Sequence, residues 1–276
     1  MSAIASPSPS RRVRTLRAIP TLLRVGLAAA VAYRSEFLVW ALTTNMPLVM
    51  LALWTEVARE APVGNFGEKD FVAYFLATLV VRILTGSWVV WEMNTEIRQG
   101  DIGMRLLRPI HPFVHYATDN LSALPLRVLL TLPVVILAFF WVGRGHVTTD
   151  AAHVAIGIVG IFGAWAVVFS AMLLVGSLGL FWESSLALYD LWLGLFFIFS
   201  GYLMPLSFFP GWLRALSYWL PFRYTLAFPV EAILGLAPLR EVLTSLVVQW
   251  VYVAGLLALA LILWRRGLAR YQVFGG

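Results

Sequence analysis

Long apolar runs, separated by short polar breaks, dominate the chain from about residue 37 onward. A helix that crosses a bilayer needs about 20 mostly apolar residues. Six runs approach or reach that length, at about residues 37–54, 71–91, 124–142, 154–178, 186–204 and 245–264. The pattern predicts an all-α membrane protein with six transmembrane helices, named spans one to six in chain order.

The residues before span one follow a different pattern. Residues 1–10 are rich in serine and proline, which predicts a disordered tail. From residue 11, arginines recur every three or four positions opposite Leu16, Leu23 and Leu27, as in an amphipathic helix lying in the membrane interface. Pro20 predicts that regular helix starts near it, since an internal proline removes a hydrogen bond, and residues 11–19 could instead stay a disordered basic tail. Residues 1–35 thus form one unit and residues 36–276 the six-span domain.

Residues 205–244 are apolar but repeatedly interrupted by proline and glycine. The uninterrupted pieces, of roughly 8 to 12 residues, are too short to cross a bilayer. They predict re-entrant or broken interfacial helices on the outer side, before span six. Tryptophans and tyrosines in this outer block are typical of an aromatic belt.

Composition and charge narrow the class and the orientation. With 61% hydrophobic and 12% charged residues the chain is not a soluble domain, and without cysteine it has no disulfide or thiolate site. Its 19 arginines and one lysine cluster at segment ends, which suits anionic lipid headgroups and indicates no nucleic-acid partner. Twelve arginines fall on the side of both termini and six basic residues on the other, so we expect a multi-pass protein of the inner (plasma) membrane with both termini in the cytoplasm.

Some polar residues lie inside the predicted spans. Asn45 belongs to a polar trio that faces the bundle interior or simply packs in the core. Arg82, near the middle of span two, would cost roughly 2.5 to 3.5 kcal/mol facing lipid. It therefore serves either as a gate or substrate contact, or as a structural group bound to an acid or to carbonyl oxygens. The candidate pathway and gate residues are Asn45, Arg82, Phe196, Phe199 and Glu231.

The longest polar interruption on the basic side covers residues 92–112. Gly100 and Gly103 permit a sharp reversal, Asp101 can cap a short helix, and Pro109 can end it. These residues predict one or two helical turns at the cytoplasmic surface between spans two and three, showing Met104, Leu107 and Arg108 to a partner. An ordinary basic loop is the alternative.

Residues 97–110 read Ile-Arg-Gln-Gly-Asp-Ile-Gly-Met-Arg-Leu-Leu-Arg-Pro-Ile. This segment resembles the signature of the ABC type-2 permease family, Ile-Arg-x-Gly-x-hydrophobic followed by Leu-Leu-Arg-Pro-hydrophobic, and the likeness extends loosely over the whole chain. The resemblance implies an N-terminal elbow helix, broken outer helices, and a coupling helix at residues 97–110 that docks on a separate ATPase. The predicted coupling residues are Glu96, Arg98, Gly100, Asp101, Met104, Leu106, Leu107, Arg108 and Pro109.

Partners follow from the same resemblance. We expect two copies of a nucleotide-binding subunit that carry the ATP and magnesium, and a second permease chain, identical or homologous. The chain has no G-x-x-x-x-G-K-[ST] phosphate loop, and we expect it to bind no cofactor of its own. His111 and His115 stand four apart, but no third metal ligand is evident.

The function indicated is a non-enzymatic permease subunit of an ATP-driven exporter for an amphipathic or hydrophobic substrate. An ion-coupled secondary transporter is a second hypothesis, although such proteins usually carry several buried ionisable groups. An integral membrane enzyme or assembly protein is a third, and it would need a reactive cluster at one interface.

Overall fold

A computed structural model describes residues 11–33, 45–142, 146–182 and 185–271. These residues form helices joined by short turns, with no strand among them, which confirms the all-α prediction for this part of the chain. Two short 3₁₀ turns, Leu206–Phe208 and Pro221–Thr225, lie in the outer block. The helices are α1 (Arg11–Ala32), α2 (Met46–Glu60), α3 (Glu68–Thr85), α4 (Val89–Gln99), α5 (Ile102–Leu106), α6 (Pro112–Ser122), α7 (Leu124–Val142), α8 (Ala151–Leu178), α9 (Leu186–Phe199), α10 (Gly211–Trp219), α11 (Ala227–Leu234) and α12 (Leu239–Leu268).

Four stretches of the described residues are long and apolar enough to cross a membrane: Glu68–Gln99, Pro112–Leu137, Ala151–Leu178 and Leu239–Leu268. They overlap predicted spans two, three, four and six, although the first continues to residue 99 and the second begins at residue 112, twelve residues before predicted span three. Residues 37–44 of span one lie outside the described part, and its remainder begins α2. Span five contains α9, an apolar helix of 14 residues. The total of six spans therefore stays a prediction, as does the division at residue 35.

Helix α1 runs through Pro20, so the prediction that regular helix begins near that residue is wrong. Pro20 is exposed, and the missing N–H does not leave a buried gap at its position. Further along, α1 packs against α6, where Gly26 lies directly against Ser122. This tertiary contact supports the helix beyond the proline.

Span two is broken in its last third, between Thr85 at the end of α3 and Val89 at the start of α4. The buried Arg127 of α7 reaches into the break. Its Nη1 donates to the carbonyl oxygens of Gly86 at 2.5 Å and Leu84 at 3.3 Å. A cation there complements the negative end of the α3 helix dipole and supplies donors that the interrupted backbone lacks.

Helix α8 lies at the centre of the bundle and packs along α12. Gly163 of α8, which lies directly against a side chain of α12, permits this close approach. The side chain of Gln249 is fully buried over Gly163 and donates to the carbonyl oxygens of Gly160 at 2.9 Å and Tyr224 at 2.8 Å. One amide therefore joins α8, α12 and the outer block.

Candidate functional site

The polar stretch between spans two and three folds as a helical hairpin. Helix α4 ends where Gly100 adopts φ +84°, in the left-handed region that favours glycine, and the Gly100 N–H donates to the Ile97 carbonyl. Asp101 occupies the position before α5 but makes no side-chain capping bond, so that part of the prediction is wrong. Gly103 lies inside α5, and the reversal depends on Gly100.

Arg105, in the last turn of α5, joins α5 to its two neighbouring helices, α4 and α6. Its guanidinium forms ion pairs with Glu96 and, at 2.6 Å, with Glu92 of α4. It also lies 3.7 Å from the Asp119 carboxylate of α6 and 4.3 Å from the Tyr116 ring centroid. We call these five residues the Arg105 brace.

Hydrogen bonds within the brace fix its geometry further. The Tyr116 hydroxyl donates to Glu96 Oε2 at 2.6 Å, so α4 and α6 are bonded directly as well as through Arg105. Burial alone lowers the pKa of Arg105, but the bond to Glu96 and the surrounding negative charge outweigh that effect and raise it. The guanidinium stays charged, and α4, α5 and α6 are held as one unit.

The opposite side of the hairpin exposes apolar side chains. Leu107 is 81% exposed and Met104 69%, whereas Ile102 on the inner side is fully buried. Such apolar exposure next to charged residues is typical of a binding surface. The exposed face of the hairpin consists of Met104, Leu106, Leu107, Arg108 and Pro109.

The remaining predicted coupling residues divide between these two sides. Arg98 is exposed at the end of α4, while Glu96 lies inside the brace instead of forming a surface with Arg98 and Arg108. Arg108 Nη1 lies 3.3 Å from His115 Nε2. Arg105 was not among the predicted coupling residues, although its ion pairs hold α5 against α4 and α6.

The hairpin also contacts the end of the chain that the structure describes. The Tyr271 hydroxyl donates to the Ile97 carbonyl at 3.1 Å. A cavity of about 300 Å³ separates the exposed face from the last turns of α12. Its lining includes Leu106, Arg108, His111, Trp264 and Arg265.

Comparison with known protein families assigns the chain to one of them. A family model described as ABC-2 family transporter protein matches residues 42–275. The chain belongs to the ABC-2 transporter family. No curated protein matches it. The chain is thus an integral membrane component of a transporter, and the hairpin lies within the matched region.

In this ABC-2 permease, two of the candidate pathway residues meet at one small cavity. The Arg82 guanidinium lies 5.3 Å from the ring centroid of Phe196, and both line a cavity of about 30 Å³ between α3, α8 and α9 with Ser87 and Tyr189. The ion pairs of the described residues do not include Arg82. Aromatic rings, rather than a carboxylate, are its neighbours there.

The other candidates lie elsewhere. Asn45 is exposed at the start of α2, and Phe199 stacks on Phe222 at 6.5 Å. Glu231 lines a cavity of about 660 Å³ that is formed mainly by the outer block and the loop after α2. Because the five residues do not share one cavity, they mark at least two separate places in the ABC-2 permease.

The wall of the outer cavity is organised by Arg223, which is 1% exposed. Its guanidinium pairs with Glu231 at 2.6 Å and Glu241 at 3.5 Å, and donates to the Ser245 hydroxyl at 2.9 Å. Burial raises the pKa of the Glu231 carboxyl, although the charge of Arg223 pulls that pKa down. This network holds α11 and the start of α12 around the cavity.

Proposed function

We propose that this ABC-2 permease is the membrane-spanning half of an ATP-driven exporter, and that the hairpin at residues 97–110 docks on a separate ATPase chain. The observation that carries the proposal is the combination of an exposed apolar face, with Leu107 at its tip, and a rigid brace behind it. A mechanical coupling needs both a surface to bind and a connection that does not yield.

The route of the motion follows from the contacts. A displacement of α5 by the ATPase passes through Arg105 to α4 and α6 together. Helix α4 continues into α3 and α6 into α7, and Arg127 joins the α3–α4 break to α7. Spans two and three therefore move as a pair, which changes the spaces they line.

The partners we propose are two ATPase subunits and a second permease chain, identical or homologous. ATP and magnesium bind on the ATPase subunits, because this sequence lacks a phosphate loop. Both termini and the hairpin lie in the cytoplasm, in a six-span chain of the inner membrane. The broken helices of the outer block, with Glu231, border the exit.

For the substrate we propose an amphipathic or hydrophobic molecule. The small cavity at Arg82 and Phe196 has mostly apolar and aromatic walls, and the outer cavity adds aromatic rings and carboxylates. A substrate with both apolar and polar parts suits this sequence of environments.

Co-purification with a co-expressed ATPase, followed by transport in vesicles, tests the proposal. We expect the double variant Leu107→Asp/Arg108→Asp to insert normally but to lose coupling, because two carboxylates replace an exposed apolar anchor and a cation. Thr95→Asp controls for the introduction of an acidic side chain, since it adds one carboxylate at an exposed position of α4 outside the exposed face of the hairpin. Unchanged transport in the double variant, or transport that needs an ion gradient and no ATP, contradicts the proposal.

A further inference from the structure

A basic cavity at the end of α12 has no role in the coupling scheme. Its volume is about 470 Å³, and its lining consists of Phe181, Leu263, Arg266, Ala269 and Arg270. Arg266 and Arg270 are exposed, and the ion pairs of the described residues include neither. Two guanidinium groups therefore face one cavity without a described counter-charge.

We propose that this cavity binds the headgroup of an anionic phospholipid. Leu259, Leu263 and Arg266 follow one another at spacings of four and three, so they share one face of α12, and Arg270 lies in the turn directly after the helix. The face is apolar toward the membrane centre and basic at the end. A phospholipid has the same order of parts, with acyl chains below a phosphodiester.

The position of this helix face relative to the membrane agrees with this assignment. Helix α12 has 30 residues and is about 45 Å long. Since a bilayer core is about 30 Å thick, the last turns of α12 emerge at the interface. Exposed Leu259 lies about 10 Å below Arg266 along the helix, within reach of acyl chains. Trp182, 59% exposed beside the cavity wall, is a typical interfacial residue.

The cavity is built by a close helix contact. At Gly267 a Cβ would lie 2.7 Å from the Leu180 Cβ, so only glycine lets α12 approach the turn after α8 this closely. That turn presents Phe181, whose ring centroid lies 5.9 Å from the Arg270 guanidinium carbon. A guanidinium that lies over a ring can still donate hydrogen bonds to oxygens at its edge, and arginine matches phosphate geometry.

Native mass spectrometry of the purified chain with added lipids tests the assignment. We expect phosphatidylglycerol to bind in preference to phosphatidylcholine with the same acyl chains. Arg266→Gln lowers the phosphatidylglycerol affinity about fivefold and Arg266→Gln/Arg270→Gln about 30-fold, at roughly 1 kcal/mol for each arginine near a charged headgroup. Arg265→Gln is the matched control, because Arg265 lines the other cavity and its loss should change the affinity less than twofold.

Two further arms separate the sources of the anion. Inorganic phosphate and glycerol phosphate at millimolar concentration should not displace the lipid, because they lack the acyl contacts. Displacement of the lipid by either compound overturns the lipid assignment. Equal binding of phosphatidylglycerol and phosphatidylcholine to the natural chain also overturns it, because it would mean that other residues of the chain neutralise the two arginines. Circular dichroism confirms that the variants are folded. The proposal is also overturned if Arg266→Gln/Arg270→Gln binds phosphatidylglycerol normally but no longer co-purifies with the ATPase. That result would identify the cavity as a protein-docking surface.

Discussion

Replacing Arg105 by glutamine should loosen the hairpin from the bundle. The arginine and Glu96 are only 14% and 17% exposed, so their pairing is largely shielded from water. Breaking a fully buried pair costs about 3 to 5 kcal/mol. Because both groups keep some contact with water, and Tyr116 still donates to Glu96, we expect Arg105→Gln to lower the free energy of unfolding by about 2 to 3 kcal/mol.

The assay is unfolding in detergent micelles by denaturant, followed by circular dichroism. Glu96→Gln and the double variant complete a thermodynamic cycle. The double variant should be less destabilised than the sum of the single variants, with a coupling of about 1 to 3 kcal/mol, since removing the carboxylate relieves the unpaired charge. In the assembled transporter, Arg105→Gln should retain ATP hydrolysis but transport less for each ATP consumed.

Arg98→Gln is the matched control, because Arg98 loses the same charge from an exposed position nearby. We expect its effect to stay within about 0.5 kcal/mol. The reasoning is refuted if Arg105→Gln unfolds like the natural chain, or if Arg98→Gln costs as much.

Three further changes test the supports of the bundle. Arg127→Gln should cost about 2 kcal/mol in the free energy of unfolding, since the carbonyl of Gly86 loses a charged donor, and an unchanged midpoint contradicts that role. Gly163→Ala should cost a similar amount, because a Cβ there would lie 2.5 Å from the Gln249 Cδ and displace an amide that holds two carbonyls; equal stability refutes the packing argument. Arg223→Gln should destabilise the chain more at pH 8 than at pH 5. Burial raises the pKa of the Glu231 carboxyl in the folded state, and this carboxyl loses its partner in the variant. The penalty therefore grows as pH rises above the unfolded pKa of Glu231 and shrinks on protonation, and a pH-independent loss contradicts this.

Local sequence patterns located most of the helices and the hairpin, but not the break in span two or the continuation of α1 through Pro20. Apolar runs locate the four membrane-capable helices, and proline and glycine locate the short pieces of the outer block, because length and backbone chemistry are local properties. The left-handed turn at Gly100 and the end of α5 before Pro109 follow from the same local signals.

Contacts between distant residues were beyond that reasoning. The Arg105 brace depends on a reversal that places residue 105 opposite residue 96, a pairing that a turn centred on Gly100 and Asp101 could have indicated. The break in span two depends on Arg127, which lies some forty residues further along the chain. Continuation of α1 through Pro20 depends likewise on packing against α6.

Site-specific cross-linking tests the central claim most directly. Because the sequence contains no cysteine, an introduced cysteine is the single thiol of this chain. Leu107→Cys is co-expressed with the ATPase, and the cysteine is then coupled to a short photoactivatable cross-linker. Trp212→Cys, at an exposed position of α10, is treated in the same way as the control. The docking account predicts a covalent adduct between the ATPase and Leu107→Cys, and none with Trp212→Cys. It is contradicted if Leu107→Cys yields no adduct, or if an impermeant maleimide labels it from outside intact cells.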